Sequence, residues 1–268
     1  MKFIPRTPRE GINVSKTHPL AEASTLVVGL GLIVVAIVVA AVFLVEIALY
    51  FVPVEKEARL FRNFLPDDVV TVAPMDERLY QAQLLADRLV SHWADAPYEI
   101  RVEIDDSTLV NALAFPGGLI IVTSGLLDAV QSENELAFVL AHELGHFRNR
   151  DHLRALGRST VLSLFFSVVM GSDASGISIK VADLTLRGFS RTQESRADAF
   201  GLALVQAEYG HVNDAWRLFE RDMADGDLAD IFIYVSTHPD SGDRVENLRR
   251  QAEREGWPTS GEVSPLRW

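Results

Sequence analysis

The sequence predicts an α+β protein, mainly helical with a small sheet, carried behind one N-terminal transmembrane helix. Three observations lead there. Residues 25–52 are almost wholly apolar, with Glu46 their only charge. Residues 98–105 alternate, with Tyr98, Ile100, Val102 and Ile104 on one side and Glu99, Arg101, Glu103 and Asp105 on the other, which is a strand with one wet face. Ser132-Glu133-Asn134-Glu135 has the form of a capping box, and Leu136, Val139, Leu140 and Leu144 follow at helical spacing. The chain then divides into a tail (1–24), an anchor (25–52), a linker (53–77), one domain (78–255) and a C-terminal tail (256–268).

The apolar run is long enough to cross about 30 Å of hydrocarbon at about 1.5 Å per residue. A cleaved signal peptide has a shorter core, about 7–15 residues, and a small-residue cleavage site. Tyr50-Phe51-Val52-Pro53 offers no such site, so an uncleaved anchor is the reading. Glu46 would lie near one membrane interface and reach water. Ala36 and Ala40 form a small-xxx-small pair through which the membrane helix could form a homo-oligomer. Lys2, Arg6, Arg9 and Lys16 precede the span, whereas Lys56, Arg59 and Arg62 after it are mixed with acids. That bias predicts a single-pass protein of the cell membrane, with the N-terminus cytoplasmic and the domain outside the cytoplasm.

A second strand is expected over 119–122, after the Pro116-Gly117-Gly118 turn. Another apolar run, 161–170, is too short to span and reads as a buried helix. Residues 171–176 are small and polar and could form a mobile lid. The tail after Gly256, with two prolines, is expected to be poorly ordered. A net charge of −12 argues against nucleic acid as a partner. The absence of cysteine excludes disulfides and thiolate zinc sites.

The chemistry lies on the capped helix, in His142-Glu143-Leu144-Gly145-His146. Positions i and i+4 share a helix face, so His142 and His146 can reach one metal ion. Glu143, beside that face, can take a proton from a water activated by the metal. The pentapeptide occurs by chance in unrelated chains, so a further ligand decides its meaning. Catalytic zinc takes three protein ligands. His152 would complete a metzincin spacing, with Asn149 where that class has the turning glycine. Neither Met170 nor Met223 resembles the Met-turn that class requires. Glu194 is the other candidate, in Ser190-Arg191-Thr192-Gln193-Glu194-Ser195-Arg196-Ala197-Asp198, where Ser190 and Gln193 suggest a second capping box. Glu194 and Asp198 then share a face. Asp198 could accept the ring N–H of a ligand histidine, and small Ala197 and Gly201 would let the two helices pack closely. On this reading His152 is an exposed residue just past the helix end.

The ordered set resembles the HtpX-type gluzincins, the family that also holds the CAAX prenyl endopeptidases, the mitochondrial Oma proteases and the periplasmic BepA-type proteases. Two further stretches are similar to that family: Asn111-Ala112-Leu113-Ala114-Phe115-Pro116-Gly117-Gly118 before the active-site helix, and Thr237-His238-Pro239 with Arg244 after it. The resemblance covers about residues 78–250. It implies a zincin-like metallopeptidase domain with one zinc ion per chain, held by His142, His146 and Glu194. Glu143 is then the catalytic base, with Asp198 and Arg244 behind the ligands. Asn111 and Ala112 are placed along the groove for an unfolded or extended polypeptide, added by backbone hydrogen bonds to a sheet edge. His238 is expected across the metal from Glu143, either as a donor to the oxyanion or as a ligand that closes the site. The implied role is quality control of misfolded membrane or envelope proteins. Two alternatives stand beside it: a membrane-anchored chaperone-like binding protein with a structural zinc, and a CAAX-type processing endopeptidase.

Overall fold

The computed structural model describes residues 18–51, 53–54, 56–57, 76–97, 99–170, 189–225, 238 and 241–268. Tyr98, Arg59, Arg62, Thr237, Pro239, the 171–176 stretch and the basic residues of the N-terminal tail lie outside them. The chain is mainly helical, with one small sheet and one N-terminal apolar helix. The first helix, α1 (Pro19–Phe51), is long and apolar enough to cross a membrane, and none of its residues is buried by protein.

Helix α2 (Glu77–Ser91) starts at Asp76, whose side chain accepts from the Arg78 N–H. It buries Ala82, Leu85, Ala86 and Leu89, the i, i+3, i+4, i+7 pattern of one helix face. The sheet is β1 (Arg101–Asp105), β2 (Ala112–Phe115) and β3 (Leu119–Thr123), in the order β1-β3-β2. β1 runs parallel to β3, and β2 antiparallel to it. β3 is central and buried along its whole length. The Gln83 amide on α2 bonds the Val102 N–H (2.8 Å) and the Ile100 carbonyl (2.9 Å), so a side chain satisfies backbone groups of an edge strand. The alternation in 98–105 appears with Val102 and Ile104 buried and Arg101 and Asp105 exposed. β1 is shorter than expected, and β2 was not anticipated as a strand. The turn between β2 and β3 needs its glycines: Gly117 and Gly118 sit at φ 93° and 87°.

After the short α3 (Ser124–Ala129) comes α4 (Glu133–Asn149), which carries the histidine motif. Every residue from Glu133 to Phe147 is buried. Ser132 caps it by accepting from the Glu135 N–H at 3.1 Å. The reciprocal half of the expected box is displaced by one residue, because the Glu135 carboxylate takes the Gln131 N–H at 2.8 Å and pairs with Arg221. The C-terminal tail is not loose. The Ser264 carbonyl accepts from the Glu133 N–H (2.9 Å), an orphan donor of α4's first turn, and the Ser264 N–H bonds Asn134 Oδ1 (2.8 Å). The Pro258 carbonyl accepts from the Val212 N–H at 2.8 Å, and Trp257 and Leu266 pack on the core. The tail lacks regular structure but is ordered by satisfying another element's backbone.

Arg150, not Asn149, takes the left-handed conformation that ends α4, at φ 54°. The chain turns there into α5 (Asp151–Met170), which is longer than the 161–170 helix expected and packs along α1. Arg154 Nε meets Glu46 Oε2 at 2.7 Å, and Arg150 Nη1 donates to the Leu49 carbonyl at 2.7 Å. Glu46 is therefore ion-paired with the domain. Helix α6 (Arg191–Tyr209) lies against α4, and α7 (Arg217–Asp225) and α8 (Ser241–Glu255) close the far side.

Candidate active site

The site is made where α4 and α6 cross, and small residues set how closely they do so. A Cβ on Gly145 would fall 2.6 Å from Ala197 Cα, and one on Gly201 would fall 2.9 Å from the His142 backbone nitrogen. Both expected small residues of α6 therefore lie at the contact. Ser190 and Gln193 form the full capping box at the start of α6, which fixes the turn that holds Glu194.

His142, His146, Glu194 and His238 each offer a donor atom within 4.8 Å of every other, and all four are buried. His142 Nε2 and His146 Nε2 are 3.0 Å apart. Glu194 Oε2 is 3.4 Å from His142 Nε2, and Oε1 is 3.5 Å from His146 Nε2. His238 Nδ1 lies 3.1 Å from His142 Nε2 and 3.0 Å from Glu194 Oε1. A tetrahedral ion with bonds of about 2.0–2.2 Å separates its ligands by roughly 3.3–3.6 Å. The two Glu194–histidine separations of 3.4 and 3.5 Å match that spacing, and the other three, at 3.0–3.1 Å, are a few tenths of an ångström shorter.

Behind each motif histidine stands a carboxylate. His142 Nδ1 lies 2.8 Å from Asp198 Oδ1, and Arg244 holds that carboxylate with Nε and Nη2 at 2.6–3.0 Å. Arg244 also lies over the Phe219 ring at 4.3 Å, and its Nη2 comes within 2.8 Å of His142 Nδ1 and 3.4 Å of His142 Nε2. His146 Nδ1 lies 3.1 Å from Asp151 Oδ2, and Gln193 Nε2 donates to the other oxygen at 2.7 Å. Phe189 stacks on the His146 ring at 4.0 Å. Asp151, Gln193 and Phe189 were missed as site residues. The available signal for Asp151 was its place as the first residue of a helix that begins directly after α4 turns.

The electrostatics favour a cation. Burial opposes ionisation of Asp198, but the charge of Arg244 and bonds to His142 and Arg244 outweigh it and hold that carboxyl below its usual range. Asp151 is lowered against burial by His146 and Gln193. Glu194 is lowered strongly against burial by the three imidazoles around it. Burial would lower His146, yet hydrogen bonds to Asp151 and Glu194 and the charge of Glu194 and Glu143 push it up to about 9. Burial dominates at His238 and lowers it. Three buried carboxylates kept ionised around the ring nitrogens make an acidic setting that suits a divalent ion.

Other residues fall elsewhere. His152 is buried, not exposed, and its Nε2 bonds Glu57 Oε1 at 2.8 Å. It is outside the donor cluster, because α5 starts at once and turns it toward the segment that follows α1. His238 is not across from Glu143. Its ring bridges the two regions, with Nδ1 at Glu194 and Nε2 3.6 Å from Glu143 Oε1. Asn111 and Ala112 are both buried. The Asn111 N–H donates to Thr123 Oγ1 at 3.0 Å, and Ala112 pairs with Val122 in the sheet. They help set the position of β2, an edge strand packed against α4.

The chain is 31% identical over 195 residues to the mitochondrial metalloendopeptidase OMA1 of Schizosaccharomyces pombe, covering 67% of this chain and 57% of that protein. It is 31% identical over 165 residues to a putative beta-barrel assembly-enhancing protease of Vibrio cholerae, covering 54% of this chain and 33% of the relative. A protease HtpX homolog of Acidiphilium cryptum is 32% identical over 200 residues, covering 57% of this chain and 68% of the relative. The chain therefore spans between a third and somewhat over half of the length of the first two relatives. Residues 79–252, from α2 to α8 and including both helices of the site, match Peptidase family M48, and the chain belongs to that family.

Proposed function

We propose that this protein is a membrane-anchored zinc endopeptidase that cleaves extended or unfolded polypeptides. The observation that carries the reading is the buried His142, His146, Glu194 and His238 cluster, its donor atoms all within 4.8 Å of one another, with Glu143 beside it. His142, His146 and Glu194 would hold the zinc, and His238 stands at the fourth position. A bound zinc ion would supply Lewis acidity to the scissile carbonyl and to the attacking water. Glu143 takes the proton from that water and returns it to the leaving amine. Asp198 and Asp151 accept the Nδ1–H of His142 and His146, which fixes both rings with Nε2 turned to the ion. Arg244 and Gln193 keep those carboxylates in place. Phe189 shields His146 from water. His238 must swing away before a water and a substrate can enter, so the arrangement described is a closed state.

An extended chain would add to the free edge of β2 through backbone hydrogen bonds, which read length and not sequence. The anchor would be α1, in the cell membrane, with the domain outside the cytoplasm. One relative is named a mitochondrial metalloendopeptidase and another a putative beta-barrel assembly-enhancing protease, and the role we assign is quality control of misfolded membrane or envelope proteins. One observation favours a second reading: four protein donors close the site, as in a structural zinc site of a binding protein. The test uses full-length protein in neutral lipid vesicles and an unfolded protein substrate. Chelation should abolish cleavage and zinc should restore it. Zinc-loaded protein that cleaves no unfolded polypeptide would favour the structural reading, and cleavage confined to prenylated C-terminal peptides the CAAX-type one.

A further inference from the structure

Beside the C-terminal end of α4 lies a second cavity of about 460 Å³, lined by Val54, Trp93, Phe147, Arg148, Arg150 and Phe200 among others. It shares no residue with the metal cluster. Its volume falls in the range of small-molecule sites, about 300–1,000 Å³. The walls combine rings with cations. The Arg148 guanidinium lies 4.5 Å over the Phe200 ring, and Trp93 meets Phe200 edge-on at 5.5 Å. Among the described residues Arg148 has no carboxylate partner. Among the described lining residues Asp95 is the only acid, and His92 is taken by Glu208 at 2.9 Å.

The cavity also has a fixed height relative to α1. Arg150, in its wall, donates to the Leu49 carbonyl in the last turn of α1. Val54, also in the lining, is three residues beyond Phe51, hence at most about 10 Å along the chain from the helix end. The polar layer on each side of a bilayer is roughly 5–8 Å thick. Tyr50 and Phe51 are 85% and 73% exposed at this same level, as aromatic residues at a membrane surface are. A cavity with an exposed guanidinium that has no carboxylate partner among the described residues, with aromatic walls and this height, has the chemistry of a phosphate-bearing headgroup site. The planar fork of arginine suits phosphate oxygens, and the rings suit the glycerol and upper acyl region.

We infer that this cavity binds the phosphate headgroup of an anionic membrane lipid, with Arg148 as its main contact. Occupancy would hold the end of the active-site helix against the bilayer. The inference rests on α1 crossing a membrane and is independent of the peptidase chemistry. The experiment uses full-length protein in phosphatidylcholine vesicles containing a minor share of phosphatidylglycerol, followed by extraction and native mass spectrometry of retained lipid. Wild type should keep phosphatidylglycerol in preference to phosphatidylcholine. Arg148→Ala, and Val54→Trp, which fills the cavity but keeps the charge, should each lower that retention about tenfold or more. Unchanged melting temperatures would show that both variants are folded. Equal retention by wild type and folded Arg148→Ala would overturn the inference. So would inorganic phosphate displacing the lipid at equal concentration, since the site would then belong to a free phosphate. Failure of the wild type to enter neutral vesicles would overturn the anchor itself, and this inference with it.

Discussion

Gly145→Ala adds a single methyl group to the middle of the histidine motif, yet the structure predicts a severe effect. The new Cβ would lie 2.6 Å from Ala197 Cα and 2.8 Å from the Ala197 carbonyl oxygen. Carbon atoms pack at about 3.5–4.0 Å, so α4 and α6 must part by roughly 1 Å. The neighbour is backbone and cannot rotate away. Glu194, one turn before Ala197 on the same helix, moves with it. Metal–ligand bonds tolerate about 0.2 Å, so a shift of roughly 1 Å takes Glu194 out of reach unless the ion follows and loses a histidine. Overpacking of this kind costs about 1–3 kcal/mol. For a domain of this size that lowers Tm by about 2–12 °C. Zinc affinity should fall by at least about 10–100-fold, as when groups supporting a metal site are removed. The assay is zinc retention against a competing chelator together with thermal unfolding. Gly31→Ala serves as control, because nothing lies within 4 Å of a Cβ there. A Gly145→Ala protein with wild-type zinc affinity and Tm would refute the reasoning that helix spacing sets the site.

Glu194→Ala should strip or weaken zinc while His152→Ala leaves it, read by metal analysis of the purified variants, and the reverse pattern would restore the metzincin assignment. His238→Ala should retain zinc and raise basal cleavage if its Nδ1, which lies beside His142 and Glu194, closes the site as proposed; a fall of about 10²–10³-fold with zinc retained would instead make it the oxyanion donor. Burial would raise the Glu57 carboxyl, but its bond to His152 and the charges of His152 and Arg150 hold it below its ordinary 4.5. Its stabilisation is thus present above about pH 4.5 and lost as pH falls through the lower folded value. Glu57→Gln should therefore destabilise the protein near neutrality and narrow its gap to wild type in acid, which urea unfolding at several pH values would show.

The parts of the site legible in the sequence are those written locally. The histidine motif, the Ser132 and Ser190 caps, and the Glu194–Asp198 face all follow from spacing within one helix, and the small residues at 197 and 201 announced a close crossing. What could not be read depends on contacts between distant segments. Asp151 becomes a partner of His146 only because Arg150 adopts a left-handed turn that reverses the chain at once. Glu135 gave up the expected capping bond because Arg221, far along the chain, drew its carboxylate away. The tail after Gly256 carries no periodic signal, and its order comes from bonds to the first turn of α4 and to Val212. β2 resembled a binding segment more than a strand because its ladder partner is set by the glycine turn. Glu46 looked like a residue seeking water, yet it meets Arg154 of a helix whose start was placed too late.

This domain is proposed to hydrolyse peptide bonds with Glu143 as the base beside a zinc held by His142, His146 and Glu194. Paired measurement of zinc content and cleavage of an unfolded protein, by full-length wild type and Glu143→Gln, tests it most directly. Both proteins should hold one zinc ion per chain, and the variant should cleave at least about 10²–10⁴-fold more slowly. Near-normal cleavage by a zinc-loaded Glu143→Gln protein would contradict it.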